Sequence, residues 1–206
     1  MLESVRREPG VFLPLDDYLA EAPRERKGLA DVVNKIERRQ YFDEGDDPSW
    51  LAFTAGDWDS AVRFNEADRT DLLGYFSDQA ARGVVFQRVR VVEFPITPYV
   101  QWEMNALKVR AECGEKIRVV TASAVRDYEG ENQIPEVLVL GSRVMYEILY
   151  DERGVPFGSR RITDESVVSA SRGEIERLYS MGEDIADFYE RELVRLPPPD
   201  VSRLPS

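Results

Sequence analysis

Residues 83–120 read GVVFQRVRVVEFPITPYVQWEMNALKVRAECGEKIRVV, and this stretch decides the fold. Its pattern predicts a strand over residues 86–93, a helix from Pro98 to about Cys113, and a second strand over residues 117–121. Two strands joined by a helix of this length are most simply parallel, with a right-handed crossover. The stretch therefore predicts a parallel strand-helix-strand unit.

Residues that favour helix ends set the limits of the predicted helix. Thr97 is a suitable N-cap, Pro98 fits the first helical position, and Gly114 can end the helix. In the preceding strand, valines 89 and 91 point to one side and arginines 88 and 90 to the other. This alternation predicts that one face of the strand is not a plain apolar core.

The sequence after residue 120 favours antiparallel hairpins followed by a helix. Residues 136–150 read as two strands broken at Gly141-Ser142, and residues 157–163 return as a third strand after a turn. Asp164 can cap a final long helix that runs to about Leu196, with a break near Gly173. We therefore predict an α/β protein, with α+β as the alternative: a small mixed sheet, C-terminal hairpins and a long C-terminal helix.

The sequence before residue 83 is read as mostly helical. Residues 11–20 predict a short helix, and Leu29, Val32, Val33 and Ile36 follow a helical spacing. An acidic loop over residues 43–48 is expected to cap a further helix, with Asp47 as N-cap; its alternative, a calcium site, lacks the EF-hand spacing. A helix from Asn65 to Arg82 is expected to follow.

These patterns divide the chain into three segments. Residues 1–48 are predicted to form an N-terminal helical extension, residues 49–196 an α/β domain, and residues 197–206 a flexible, proline-rich tail.

Composition limits the function classes. The 206 residues include no histidine, which excludes Ser-His-Asp and Cys-His nucleophile systems and imidazole metal ligands. A formal net charge of −12 argues against direct nucleic-acid binding. No apolar run is long enough to cross a membrane and no signal peptide is recognised; with the single Cys113, this predicts a cytoplasmic protein.

No sequence pattern indicates a catalytic centre, a metal site or a cofactor. The scattered glycines form neither a phosphate loop nor a dinucleotide fingerprint. We therefore predict no catalytic residues, no metal and no cofactor, and consider an enzyme less expected than a protein without catalytic activity.

Five stretches resemble a family of actinobacterial proteins that is defined as a domain of unknown function. They are KIERRQYF (35–42), DPSWLAFTAGDWDSAV (47–62), RVRVVEFPITPYVQWEM (88–104), RAECGEKIRVV (110–120) and PEVLVLGSRVMYEILYDERGVPFG (135–158). The resemblance implies a gene neighbourhood beside helix-turn-helix regulators in Streptomyces-like genomes. The C-terminal half is also loosely similar to a phospholipase-D-type α/β domain, whose His-x-Lys pattern a chain without histidine cannot contain.

Ligands of open α/β sheets gather beyond the carboxyl ends of the parallel strands. Here that edge is predicted to comprise residues 93–97, the start of the helix at Pro98, and residues 121–123. The hypothesis is a small pocket whose ligand stacks on two aromatic side chains and pairs with an arginine. The predicted ligand-binding residues are Tyr99, Trp102, Glu103, Arg90 and Arg118.

The structural alternative assigns the same residues to packing. Trp102 would pack on the sheet, and Glu103 would form an ion pair with Arg90 or Arg118 that holds the helix to the strand.

Three functions remain open from the sequence. The first is a regulatory or partner-binding protein without catalysis, associated with a transcription regulator of the helix-turn-helix type. The second is a small-molecule-binding protein or an enzyme of specialised metabolism that uses Tyr99, Glu103 and nearby arginines. The third is an antitoxin-like component whose negative charge masks a basic partner. A concave site would favour the second function, and a flat apolar patch would favour the first.

Overall fold

The computed structural model describes residues 2–130 and 132–205, and of residues 3 and 4 it describes the backbone alone. Three residues lie outside the described part of the chain. They are residue 1 of the predicted extension, residue 131 before the predicted hairpins, and residue 206 of the predicted tail. No helix in the described part of the chain is long and apolar enough to span a bilayer.

The described residues contain one sheet of eight strands. The strands are β1 (Val11–Pro14), β2 (Val32–Glu37), β3 (Val85–Val92), β4 (Lys116–Thr121), β5 (Val137–Leu140), β6 (Val144–Tyr150), β7 (Pro156–Ile162) and β8 (Glu183–Asp184). Their order across the sheet is β1-β7-β6-β5-β2-β3-β4-β8. Strands β2, β3 and β4 are parallel, and every other pairing is antiparallel. The predicted mixed α/β fold is therefore confirmed.

Eight α-helices accompany the strands in the described residues. They are α1 (Leu15–Arg26), α2 (Pro48–Thr54), α3 (Trp58–Ala67), α4 (Arg69–Ala81), α5 (Pro98–Glu112), α6 (Ala122–Val125), α7 (Glu165–Met181) and α8 (Ile185–Glu192). Short 3-10 helices span Leu2–Arg7, Arg126–Tyr128 and Val201–Arg203.

The central strand-helix-strand unit matches its prediction. Strands β3 and β4 lie side by side and parallel, with Val89 opposite Arg118 and Val91 opposite Val120. Thr97 caps α5 through a hydrogen bond that its Oγ1 accepts from the amide of Val100 at 3.1 Å. The local signals were sufficient because capping, proline placement and strand alternation all indicate the same structure.

Helices cover both faces of the sheet. On one face, α7 packs its residues Val168, Ile175 and Leu178 on valines of the central strands. On the other face, α5 and α8 pack with α2 in an aromatic-rich core. Because residues alternate along a strand, Val89 and Val91 face α7, whereas Arg88 and Arg90 face α5.

The prediction of a helix around residues 29–36 is wrong, because Val32–Glu37 is the central strand β2. Val33 faces the α1 side, and Ile36 faces α7. A strand buried on both faces lacks a simple alternation, and its short apolar run also fits a helical spacing. Residues 1–48 therefore supply two strands, β1 and β2, to the sheet.

Two helix boundaries also differ from their predictions. The single helix expected over residues 65–82 is two helices, and Asn65 lies inside α3 rather than at an N-cap. The C-terminal helix passes through Gly173 without a break and ends instead at Gly182. Asp47 and Asp164 do cap α2 and α7 as predicted.

The residues after α8 fold back onto the domain. Val201 and Leu204 pack against the aromatic core, and the carbonyl of Pro197 accepts a hydrogen bond from Gln101 Nε2 at 2.7 Å. The predicted flexibility of this tail stays a prediction.

Candidate ligand-binding site

A cleft of about 680 Å³ opens beyond the carboxyl ends of β2 and β3. We call it the carboxyl-edge cleft. It lies at the edge where the sequence places a ligand site, although residues 121–123 do not contribute to its lining. Its lining residues are Arg39, Gln40 and Tyr41 after β2, residues 93–99 after β3, Gln133, and residues 203–205 near the C-terminus.

Gln40 fixes the two strand ends that form the floor of the cleft. Its Nε2 donates hydrogen bonds to the carbonyls of Arg38 at 2.7 Å and Val91 at 2.8 Å. Its Oε1 accepts a hydrogen bond from the amide of Glu93 at 2.9 Å. Thr97 Oγ1 donates to the carbonyl of Gln40 at 3.2 Å, which ties the start of α5 to the same point. These hydrogen bonds hold the ends of β2 and β3 and the start of α5 together beside the cleft.

Arg38 and Arg39 are consecutive but have different environments. Arg38 is buried and lies 2.6 Å from a carboxylate oxygen of Glu93 and 2.6 Å from one of Glu129. The Arg39 guanidinium lies over the ring of Tyr150, with Cζ 5.3 Å from the ring centroid. Its Nε is buried, and within residues 2–130 and 132–205 no hydrogen-bond acceptor faces it.

Tyr99 borders the cleft but is only 1% exposed. Its hydroxyl donates to Glu44 Oε1 at 2.5 Å, and its ring packs against Tyr41, Trp50 and Trp102. Burial raises the pKa of Tyr99 well above its ordinary value. This side chain is therefore part of the packed wall, and little of its ring is open for stacking on a ligand.

Trp102 and Glu103 face a different cavity. This second pocket of about 360 Å³ lies between the sheet and α5, and its lining includes Lys35, Glu37 and Arg88. Trp102 is 4% exposed, and its Nε1 donates to Ser49 Oγ at 2.9 Å. The five predicted residues therefore do not share one cavity.

Glu103 pairs with Arg90, as the structural alternative proposes. Arg90 Nε donates to Glu103 Oε2 at 2.7 Å, and both side chains are buried. Burial raises the pKa of Glu103 to about 7, although the charge of Arg90 opposes this shift. The pair joins β3 to α5.

A chain of ion pairs extends from this second pocket along the same face of the sheet. Arg88 contacts Glu37 and Glu115 at 2.7 Å each, and Glu115 also contacts Arg110 at 2.6 Å. Burial opposes the charge of Glu37, but Arg88, Lys35 and Arg90 outweigh it and hold the pKa of Glu37 far below its usual range. These groups are mutually satisfied, so they hold β2, β3 and α5 together.

Arg118 is not brought near the other predicted residues. It alternates with Val119, which packs on the α5 side, and so it lies on the opposite face of β4. There its guanidinium stacks over Tyr179 of α7 at 5.7 Å and lies 3.9 Å from Asp184.

A family model described as a domain of unknown function, DUF6879, matches residues 25–190. The chain belongs to this family. The matched range of the DUF6879 domain begins in α1 and ends in α8, so it includes every strand except β1. No curated protein matches the chain.

The sequence analysis missed Arg39, Gln40 and Arg203 as cleft residues. Arg39 and Gln40 follow β2, and the interpretation of β2 as a helix removed the reason to examine its carboxyl end. Arg203 reaches the cleft only through the fold-back of the tail, which has no local sequence signal. In the described residues, no group of three or more acidic or cysteine side chains is arranged to hold a metal ion, the acidic loop 43–48 included.

Proposed function

We propose that this protein binds a small organic molecule in the carboxyl-edge cleft. The observation that carries the proposal is a cavity of about 680 Å³ at the carboxyl ends of β2 and β3. Ligand sites of α/β sheets occur at such edges, and pockets for small molecules have volumes of roughly 300–1,000 Å³.

The composition of the cleft wall supports this proposal. Phe94 is 53% exposed, and Ile96, Leu204 and Pro205 add further apolar surface. Polar groups stand among them, including Arg39 and Gln40. A mainly apolar wall with a few placed polar groups is typical of small-molecule sites.

Fragment binding followed by NMR tests the proposal on the full chain. We expect fragments of a general library to shift the backbone amides of Gln133 and of the non-proline residues 93, 94, 96, 97 and 99. The variant Ile96→Trp, which fills the cleft, should abolish these shifts, and Leu51→Trp at an exposed position of α2 should not. The proposal is wrong if no fragment binds, or if binding persists unchanged in Ile96→Trp.

A second candidate function is binding of a basic protein partner at the edge of the sheet. Among the described residues, β1 pairs only with β7, so one of its edges is open there. Phe12 is 53% and Phe157 49% exposed, and their ring centroids lie 6.3 Å apart. The acidic residues Asp16 and Asp17 are exposed nearby in the first turn of α1. An open edge with exposed aromatics can accept a further strand.

The net charge of −12 favours a basic protein as the partner of this second candidate. A helix-turn-helix regulator in the cytoplasm fits this description and agrees with the gene neighbourhood that the sequence resemblance implies. The antitoxin-like function is a variant of the same proposal.

Affinity capture from an actinobacterial lysate tests the partner proposal. We expect one basic DNA-binding protein to be retained by the wild type and by Leu51→Glu, and to be lost with Phe12→Glu. Leu51 is a matched control because it is also 53% exposed. Equal retention by both variants, or capture of acidic proteins only, would exclude β1 as the contact.

A further inference from the structure

The arginines near the carboxyl edge differ in one respect. Arg38, Arg88 and Arg90 each contact a glutamate at 2.6–2.7 Å. Arg39 has no such contact to any described residue, and its buried Nε has no hydrogen-bond acceptor among them. Because Arg39 has no carboxylate partner, an oxyanion that enters the cleft can pair with its guanidinium through charge-assisted hydrogen bonds.

Two contacts hold Arg39 in place. Its backbone amide donates to Glu136 Oε1 at 2.7 Å, and its guanidinium lies over the ring of Tyr150, with Cζ 5.3 Å from the ring centroid. A guanidinium fixed in this way matches the two oxygens of a carboxylate or phosphate group.

The other charges of the cleft also favour an anion. Arg203 supplies a second cation to the lining. Among the described residues of the lining, Glu93 is the one acidic side chain, and Arg38, which also pairs with Glu129, lies 2.6 Å from it. The cleft therefore carries positive charge in a chain whose net charge is −12.

We infer that the ligand of the carboxyl-edge cleft is an amphipathic organic anion, whose oxyanion group is bound by Arg39 and whose apolar body lies against Phe94, Ile96 and Leu204. This inference rests on the proposed small-molecule function and adds the chemical class of the ligand. The shared chemistry is a planar or tetrahedral oxyanion on an apolar frame, either a carboxylic acid or a phosphate monoester.

A library of matched probes tests the inference. Each aromatic or aliphatic carboxylic acid is paired with its primary amide and with the phosphate monoester of the corresponding alcohol, and dissociation constants are measured by NMR titration. We expect the anions to bind at least about tenfold more tightly than the amides, since a hydrogen bond to a charged group contributes roughly that factor. The stronger of the two anionic arms identifies the oxyanion.

Variants assign the preference to Arg39. In Arg39→Gln the anion should lose its advantage while the affinity for the amide stays within about twofold, and Arg39→Lys should retain part of the advantage. Arg153→Gln, at an exposed arginine of the β6–β7 turn, is the matched control and should bind as the wild type does. Circular dichroism of each variant confirms that it is folded.

The outcomes separate the two proposals. If amides bind the cleft as tightly as the anions, or if both Arg39 variants keep the full preference, the inference is wrong and the small-molecule function stands. If no probe of any class binds, both proposals fail.

Discussion

Arg90 and Glu103 form an ion pair that is shielded from solvent between β3 and α5. Nε and Nη2 of Arg90 lie 2.7 and 2.6 Å from the same oxygen, Oε2 of Glu103. Nη1 donates to the carbonyl of Val91 at 2.8 Å, and the Arg90 side chain is 0% exposed. The alternation of arginine and valine in β3 thus serves to bond the strand to the helix that follows it.

Removal of one member of the Arg90–Glu103 pair should lower the free energy of unfolding far more than removal of both. Glu103→Ala leaves the buried Arg90 charge without its carboxylate partner, and we expect a loss of about 3–5 kcal/mol in the free energy of unfolding. The double variant Arg90→Met/Glu103→Leu should recover most of this loss, because it buries no unpaired charge. Urea unfolding at pH 8 measures both values.

The exposed Glu112 provides a control for this comparison. It pairs with Arg69 and Lys108 at the surface, and Glu112→Ala should change the stability by less than about 1 kcal/mol. If the double variant is as unstable as Glu103→Ala, the instability comes from lost packing rather than from the unpaired charge.

Glu136 makes the stability dependent on pH near neutrality. Burial raises its pKa from 4.5 to about 7, although the amides of Arg39 and Arg38 donate to its carboxylate. The folded protein therefore binds more protons than the unfolded chain between pH 4.5 and 7. Stability should fall as the pH rises through this window, by roughly 3 kcal/mol from this group, and level off above pH 7.

The variant Glu136→Gln isolates this contribution. It removes the titration, so the decrease in unfolding free energy from pH 5 to pH 8 should be smaller than in the wild type. The glutamine side chain has one carbonyl oxygen, so it can replace only one of the two carboxylate oxygens that accept backbone hydrogen bonds. We expect this loss to lower the free energy of unfolding by about 1–3 kcal/mol near pH 8. Equal pH slopes in wild type and Glu136→Gln would contradict the assignment, and Glu165→Gln at an exposed position serves as the control.

Local signals were sufficient for the part of the fold from β3 to β7. Thr97 before Pro98 fixes the start of α5, and Gly114, with φ of 128°, follows the end of the helix in a conformation that favours glycine. The hairpins are equally local, since Gly141 and Gly154 adopt positive φ in the turns. Each of these residues limits the backbone within a few positions.

The central strand and the cleft residues depend on long-range contacts. Ile36 is buried by α7, and Val33 packs with Leu140 and Val144, all of which are distant in the chain. Without these contacts the segment has the spacing of a helix. Arg39 acquires its place from that strand, and Arg203 from a tail that folds back across the domain. The sequence allowed candidate residues inside α5 to be proposed, but most of the residues that line the cleft lie in loops outside that helix.

Cys113 should react slowly with thiol reagents in the folded protein. The side chain is 5% exposed at the end of α5, where its Sγ lies 3.6 Å from the carbonyl of Arg69. A reagent can therefore reach Sγ only when the structure around Cys113 unfolds locally, and such unfolding is rare for a buried side chain. Labelling with a chromogenic disulfide at pH 7.5 should be complete within seconds in urea and take many minutes without it. Rapid labelling of the native protein would show that the contact between α4 and α5 opens readily.

Two glycines of the C-terminal segment should respond in opposite ways to alanine. Gly173 lies inside α7, and a Cβ built there meets nothing within 4 Å, so Gly173→Ala should stabilise the protein by roughly 0.5–1 kcal/mol. At Gly182, where α7 ends, a Cβ would lie 2.7 Å from Cβ of Arg118, so Gly182→Ala should destabilise it by displacing β8 from β4. Thermal unfolding of the two variants distinguishes the positions. A stabilising effect at Gly182 would mean that the helix can continue through this residue, which the close approach of the backbone to β4 excludes.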